Sequence, residues 1–117
     1  MNKQEIEDKA GTVISQAENM TDPKEKFCSI WEGTVRPALK LIKIVTGEKM
    51  DERIDKLIHS ADLVCAGNHP DFGNYCEVWH KYRIKAILNI LKKITGKKTD
   101  KAIDIFITIS ESFCPVG

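Results

Sequence analysis

Long apolar runs are missing from this 117-residue chain. No stretch approaches the roughly 18 consecutive apolar residues that a membrane-spanning helix needs, so the sequence predicts no transmembrane segment. A secretory leader is not visible either. The opening MNKQEIEDKAGTV carries charge where a leader turns apolar, so a cytoplasmic location is the default expectation. Excess charge is also lacking. The formal net charge is +1, so no global field steers the chain to nucleic acid. Motifs that carry chemistry are scarce. There is no Cys-x-x-Cys, no His-Glu-x-x-His, no Ser–His–Asp set and no glycine-rich phosphate loop. The expectation is a protein that is not an enzyme and needs no cofactor.

The composition that is present reads as folded and soluble, with 42% hydrophobic and 30% charged residues. The length suits one domain with a real core. The strongest internal signal is a repeat. Shifted by 49 residues, the chain matches itself at Thr46/Thr95, Gly47/Gly96, Lys49/Lys98, Asp51/Asp100, Ile54/Ile103, Asp55/Asp104, Ile58/Ile107 and Cys65/Cys114. Chance would supply roughly one such identity over this span, so the pattern reads as an internal duplication. Leu39/Leu88 and Lys43/Lys92 extend it upstream. A one-residue slip between Trp31 and Val35 then aligns FCSIW (27–31) with YCEVW (75–79).

Inside each copy the apolar period is helical. Val35, Leu39, Ile42 and Val45–Thr46, then Ile54, Leu57–Ile58, Ala61 and Val64–Cys65 fall at steps of three or four, as do Ile84, Ile87–Leu88, Leu91 and Ile94, then Ile103, Phe106–Ile107, Ser110 and Phe113–Cys114. The segment AIDIFITIS resembles a strand in composition, but its register with RIDKLIHSA favours a helix. The predicted fold is therefore all-α: two tandem antiparallel helical hairpins packed as a four-helix bundle, with an additional N-terminal helix. The expected organisation is a single domain, 1–117, with the N-terminal helix in 1–22, the first hairpin in 23–67 and the second in 72–117. A homodimer burying the same stripes is compatible with this pattern.

Each Thr-Gly pair reads as a hairpin corner. Gly47 and Gly96 are expected at the left-handed position that ends a helix, and Asp51 and Asp100 in the first turn of the next one. Thr21-Asp22-Pro23 reads as a helix start. Gly33 and Pro37 predict a kink or break near residues 33–36. The second copy has Ala86 in place of Pro37 and is expected to run straighter.

Cys28 and Cys65 flank the first hairpin; Cys76 and Cys114 flank the second. Four cysteines allow three pairings, and the repeat favours Cys28–Cys65 with Cys76–Cys114. Buried free thiols are the competing reading. Bridged cysteines would imply export to an oxidising compartment or a redox role. Cys65, His69 and Cys76 form a weak partial metal set whose spacing matches no standard site.

Trp31, Trp79, Phe27 and Tyr75 gather at the hairpin mouths, either as core or as the lining of a binding surface. Lys92, Lys93, Lys97, Lys98 and Lys101 surround one corner and are the second candidate surface. The charge is uneven: residues 1–71 carry ten Lys/Arg against thirteen Asp/Glu, and residues 72–117 carry eight against four. The leading expectation is a small non-enzymatic module that binds a protein partner. The alternatives are a carrier with a lipid or small apolar molecule between the hairpins, and a thiol-redox or metal-binding protein.

Overall fold

The computed structural model describes residues 3–43, 48–66 and 72–114, and it is all-α throughout those residues. Helix α1 spans Lys3–Glu18 and α2 spans Pro23–Ile30. A π-helical turn, Trp31–Val35, joins α2 to α3, Arg36–Lys43. Helix α4 runs Glu48–Ala66, α5 Phe72–Lys81, α6 Ile84–Lys92 and α7 Lys97–Phe113. The principal extents are 36 × 33 × 24 Å.

The helix starts follow from local chemistry. Asp22 caps α2 by accepting the Lys24 N–H at 2.9 Å, and Pro23 occupies the first helical position, where no N–H partner is lost. α7 adopts the helical reading of AIDIFITIS. Thr99, Ala102, Ile103, Phe106, Ile107 and Ser110 are buried on one side, while Asp104, Thr108 and Glu111 face solvent. This helix touches α1, α2, the π-turn, α5 and α6 and so lies at the centre of the packing.

The repeat slip falls where both copies leave α geometry. In the first copy the Arg36 N–H reaches back five residues to the Trp31 carbonyl, and the widened turn carries Pro37 without a break. Gly33 lies in this turn because α1 crosses it closely. A Cβ there would stand 2.5 Å from Val13 Cγ2. The second copy does not run straighter, contrary to expectation. It has one more residue at this point, and the surplus opens a turn at Tyr82–Arg83 between α5 and α6. Arg83 takes the left-handed conformation, with φ 51° and ψ 51°, at a cost of about 1–2 kcal/mol for a residue with a Cβ. Arg53 of α4 holds this turn. Its guanidinium donates to the Tyr82 carbonyl at 2.8 Å and the Arg83 carbonyl at 3.1 Å.

Three links repeat at matching levels. Cys28 pairs with Cys65, Arg36 with Asp62 and Lys43 with Asp55. Cys76 pairs with Cys114, Lys85 with Glu111 and Lys92 with Asp104. In each set the first partners ascend the chain while the second descend, so the segments they join are antiparallel. The ion pairs lie at the surface, where water and salt screen them. They record register more than they supply stability.

The core centres on an aromatic cluster. Phe27 stacks on Phe106 at 4.9 Å and meets Tyr75 edge-on at 5.2 Å and Phe72 at 5.6 Å. Trp31 stacks on Phe106 at 5.7 Å, and Phe72 on Phe113 at 4.0 Å. The positions equivalent in the repeat differ as a pair. Phe27 and Ala61 of the first copy are replaced by Tyr75 and Ser110, whose hydroxyls bond each other at 2.8 Å. A buried hydroxyl is costly alone and tolerable as a pair. Burial pushes the Tyr75 phenol well above its ordinary pKa, the Ser110 bond offsetting part of the rise.

The Thr95–Gly96 corner differs from its expected geometry. Gly96 is extended (φ −78°, ψ 174°), not left-handed, and it opens α7 rather than closing α6. Its lack of a Cβ serves a close approach. Glu7 of α1 sits where that Cβ would be. The Glu7 carboxylate accepts the Lys98 N–H at 2.7 Å, the Thr99 N–H at 3.0 Å and the Thr99 hydroxyl at 2.8 Å. α7 is thus capped by a side chain 91 residues away. Thr95 Oγ1 bridges the Leu91 carbonyl at 3.1 Å and the Asp100 carboxylate at 2.8 Å, joining the last turn of α6 to the first of α7. Thr46 and Gly47 lie outside the described residues.

Desolvation opposes the Glu7 charge, but the Lys98 and Thr99 donors outweigh it and hold Glu7 below the ordinary carboxylate range. A lowered folded-state pKa contributes stability above the unfolded value, which is lost as pH falls through the folded one. Glu7→Ala and Gly96→Ala should each cost on the order of 1 kcal/mol, and together clearly less than their sum, because both remove one cap. Urea denaturation of the two single variants and the double variant checks this. The gap between parent and Glu7→Ala should also close below about pH 4.

Candidate functional site

The aromatic candidates belong to the core. Phe27, Trp31 and Tyr75 have no solvent exposure and Trp79 has 4%. Packing the two halves against each other uses these rings, so Phe27, Trp31 and Tyr75 offer no face to a partner. The Trp31 indole donates to Asp62 at 2.8 Å, and Asp62 also accepts from Arg36 Nε at 3.2 Å. The space between the halves is filled by the rings that were candidates for lining a ligand site.

The cysteines stand in two pairs at disulfide distance, with Cα separations of 5.7 Å for Cys28 and Cys65 and 5.2 Å for Cys76 and Cys114. This arrangement breaks up the partial metal set, since Cys65 and Cys76 face different partners. His69 lies outside the described residues. Among the described residues no cluster of three His, Cys, Asp or Glu side chains is placed to hold a metal, and no helix is long and apolar enough to cross a membrane.

The lysine corner divides on inspection. Lys92 is engaged by Asp104 at 2.5 Å, and Lys101 lies 3.9 Å from Glu18. Lys98 lends its backbone N–H to Glu7. Lys93 and Lys97 are exposed, with no ion pair among the described residues. Two isoleucines share this corner. Ile90 and Ile94 lie one turn apart, each 46% exposed. The other large aliphatics of α6 are buried, with Ile84, Ile87, Leu88 and Leu91 at 1% exposure or less. Sequence periodicity placed Ile94 on the buried stripe. The chain leaves α geometry after Lys92, and the turn carries Ile94 outward.

A solvent-open groove of about 590 Å³ lies alongside the α5–α6 turn, lined by Trp79, His80, Arg83, Lys85, Ala86, Asn89, Glu111 and Cys114. A smaller groove of about 350 Å³ is lined by Glu32, Arg36, Asp62 and Ala66. The two occupy equivalent places in the repeat: Glu32 corresponds to His80, Arg36 to Lys85 and Asp62 to Glu111. One framework thus carries two carboxylates around a guanidinium in the first copy. In the second it carries Arg83 and Lys85 around one carboxylate. Part of the uneven charge of the sequence thus falls on these two matching surfaces. Arg83 and Glu7 went unnoticed in the sequence because nothing local marks them. The Arg36–Asp62 and Lys85–Glu111 pairs did leave a signal, a match of charge type at the 49-residue offset.

Comparison with known protein families, curated proteins and solved structures finds no match for the chain.

Proposed function

We propose that the protein is a small non-enzymatic helical binding module, built from two duplicated hairpins, that recognises a protein partner through the corner of α6 and α7. The observation that supports this is the exposed Ile90–Ile94 pair beside Lys93 and Lys97. Exposed apolar side chains with two unpaired lysines close in sequence favour a partner surface with an apolar spot bordered by carboxylates, which also speeds encounter. The carrier reading is disfavoured by the filled space between the halves. The cysteine geometry supports two disulfides and hence folding in an oxidising compartment. Each would close a loop of nearly 40 residues, worth about 4 kcal/mol in the chain-entropy account. With both cysteine pairs closed on themselves, a metal-binding role has little support.

Non-reducing peptide mapping of the natively produced protein should recover only the Cys28–Cys65 and Cys76–Cys114 linkages. Free thiols or another pairing would contradict the proposed compartment. For the corner, a photo-crosslinker placed at Ile94 in the producing cells should trap one protein that a crosslinker at exposed Glu52 does not. That protein, purified, should lose at least tenfold in affinity for Ile90→Ser/Ile94→Ser and for Lys93→Glu/Lys97→Glu. Unchanged affinity in both variants would overturn the reading. So would parent protein that binds anionic vesicles and loses that binding in the same variants, since this would mark a lipid surface instead.

A further inference from the structure

The groove at the α5–α6 turn carries an unusual choice of residue. Arg83 is the only non-glycine residue with positive φ among the described residues. The left-handed region suits glycine or asparagine, and the turn itself asks for nothing that an arginine side chain supplies. The conformation is imposed from outside, by the Arg53 guanidinium on the Tyr82 and Arg83 carbonyls. A strained backbone held by a neighbouring helix points to a use for the side chain it carries.

That side chain lines the groove and makes no ion pair or hydrogen bond of its own among the described residues. The other charges in the groove are already matched, because Lys85 and Glu111 meet at 2.6 Å. Arg83 is left as the one unmatched guanidinium. Beside it lie the exposed Ala86 and the small edge of Trp79 that reaches the groove, 4% of that residue. A planar fork of donors suits a carboxylate, an apolar floor suits a hydrocarbon body, and about 590 Å³ falls in the range of small-molecule sites. We infer that this groove binds a small monocarboxylate with an apolar body, of the kind a medium-chain fatty acid represents. The carboxylate sits on Arg83 and the chain lies over Ala86 against the edge of Trp79. The matching groove of the first copy, where Glu32 replaces His80 and Arg36 is taken by Asp62, does not bind it.

The two indole N–H groups provide an internal control. Trp79 lines the groove, whereas Trp31 is buried in the first copy against Asp62. In ¹H–¹⁵N spectra, octanoate should shift the Trp79 indole and leave that of Trp31 in place. Octanol, acetate and inorganic phosphate should each bind at least tenfold more weakly than octanoate. Arg83→Gly and Arg83→Asn should abolish the shift while leaving Tm unchanged or raised, since both relieve the left-handed backbone. An octanoate response that survives in both variants would overturn the inference. Equal responses to octanoate and octanol, or to octanoate and acetate, would also overturn it, as would the absence of any response at millimolar octanoate.

Discussion

The structure depends on the packing of Phe27 among the rings of the second copy. Phe27 comes from α2, Tyr75 and Phe72 from α5, and Phe106 from α7. One side chain thus carries the first half of the chain onto the second. Aromatic contacts of this kind combine large buried area with preferred edge and stacked geometries, so they fix orientation as well as distance. The cysteines follow from that placement. Cys28 adjoins Phe27, Cys76 adjoins Tyr75 and Cys114 adjoins Phe113, so both sulfur pairs stand beside the cluster. Helix α1 then closes the remaining side. Its small and β-branched residues, Ala10, Val13 and Ala17, pack inward, and its Glu7 caps α7.

The two stretches that match at the 49-residue offset share a pattern of links and differ in what they carry. Links at three levels join equivalent positions, while Phe27 and Ala61 correspond to the hydrogen-bonded Tyr75 and Ser110. Elsewhere the copies part. The first passes its irregular point as a π-turn that supports Pro37. The second opens there into a turn with a left-handed arginine. The grooves at these matching sites hold opposite charge balances. Surfaces can diverge in this way because an exposed ion pair costs little to remake, whereas the buried rings must still fill one shared space.

Much of the fold was legible in the sequence because its cause is periodic. The stripes of α4, α6 and α7 identify helices despite many β-branched residues, and Asp22-Pro23 marks the start of α2. The sequence marks a corner at Gly96 but misstates its role there, and Gly47 lies outside the described residues. A helix-ending glycine and a glycine that makes room for a carboxylate look alike in sequence, and only the arrival of Glu7 from α1 separates them. The same holds for Arg83, whose conformation is set by Arg53 on another helix. The candidate surface was half legible. The lysine cluster is a local feature, but the exposure of Ile94 depends on where α6 ends. Which aromatics are buried depends on how the two halves meet, and no local pattern encodes that.

On this packing the halves form one cooperative core through the Phe27 cluster, despite each having its own sulfur pair. Native-state hydrogen exchange with both sulfur pairs intact tests it most directly. The slowest amides should lie in α2 and the π-turn (Phe27–Val35) and in α7 (Ile103–Ile107), and should exchange with a single common free energy of opening equal to that of global unfolding. If instead the α2 and α7 amides open with distinct free energies, the halves are separate units and the Phe27 cluster does not unite them.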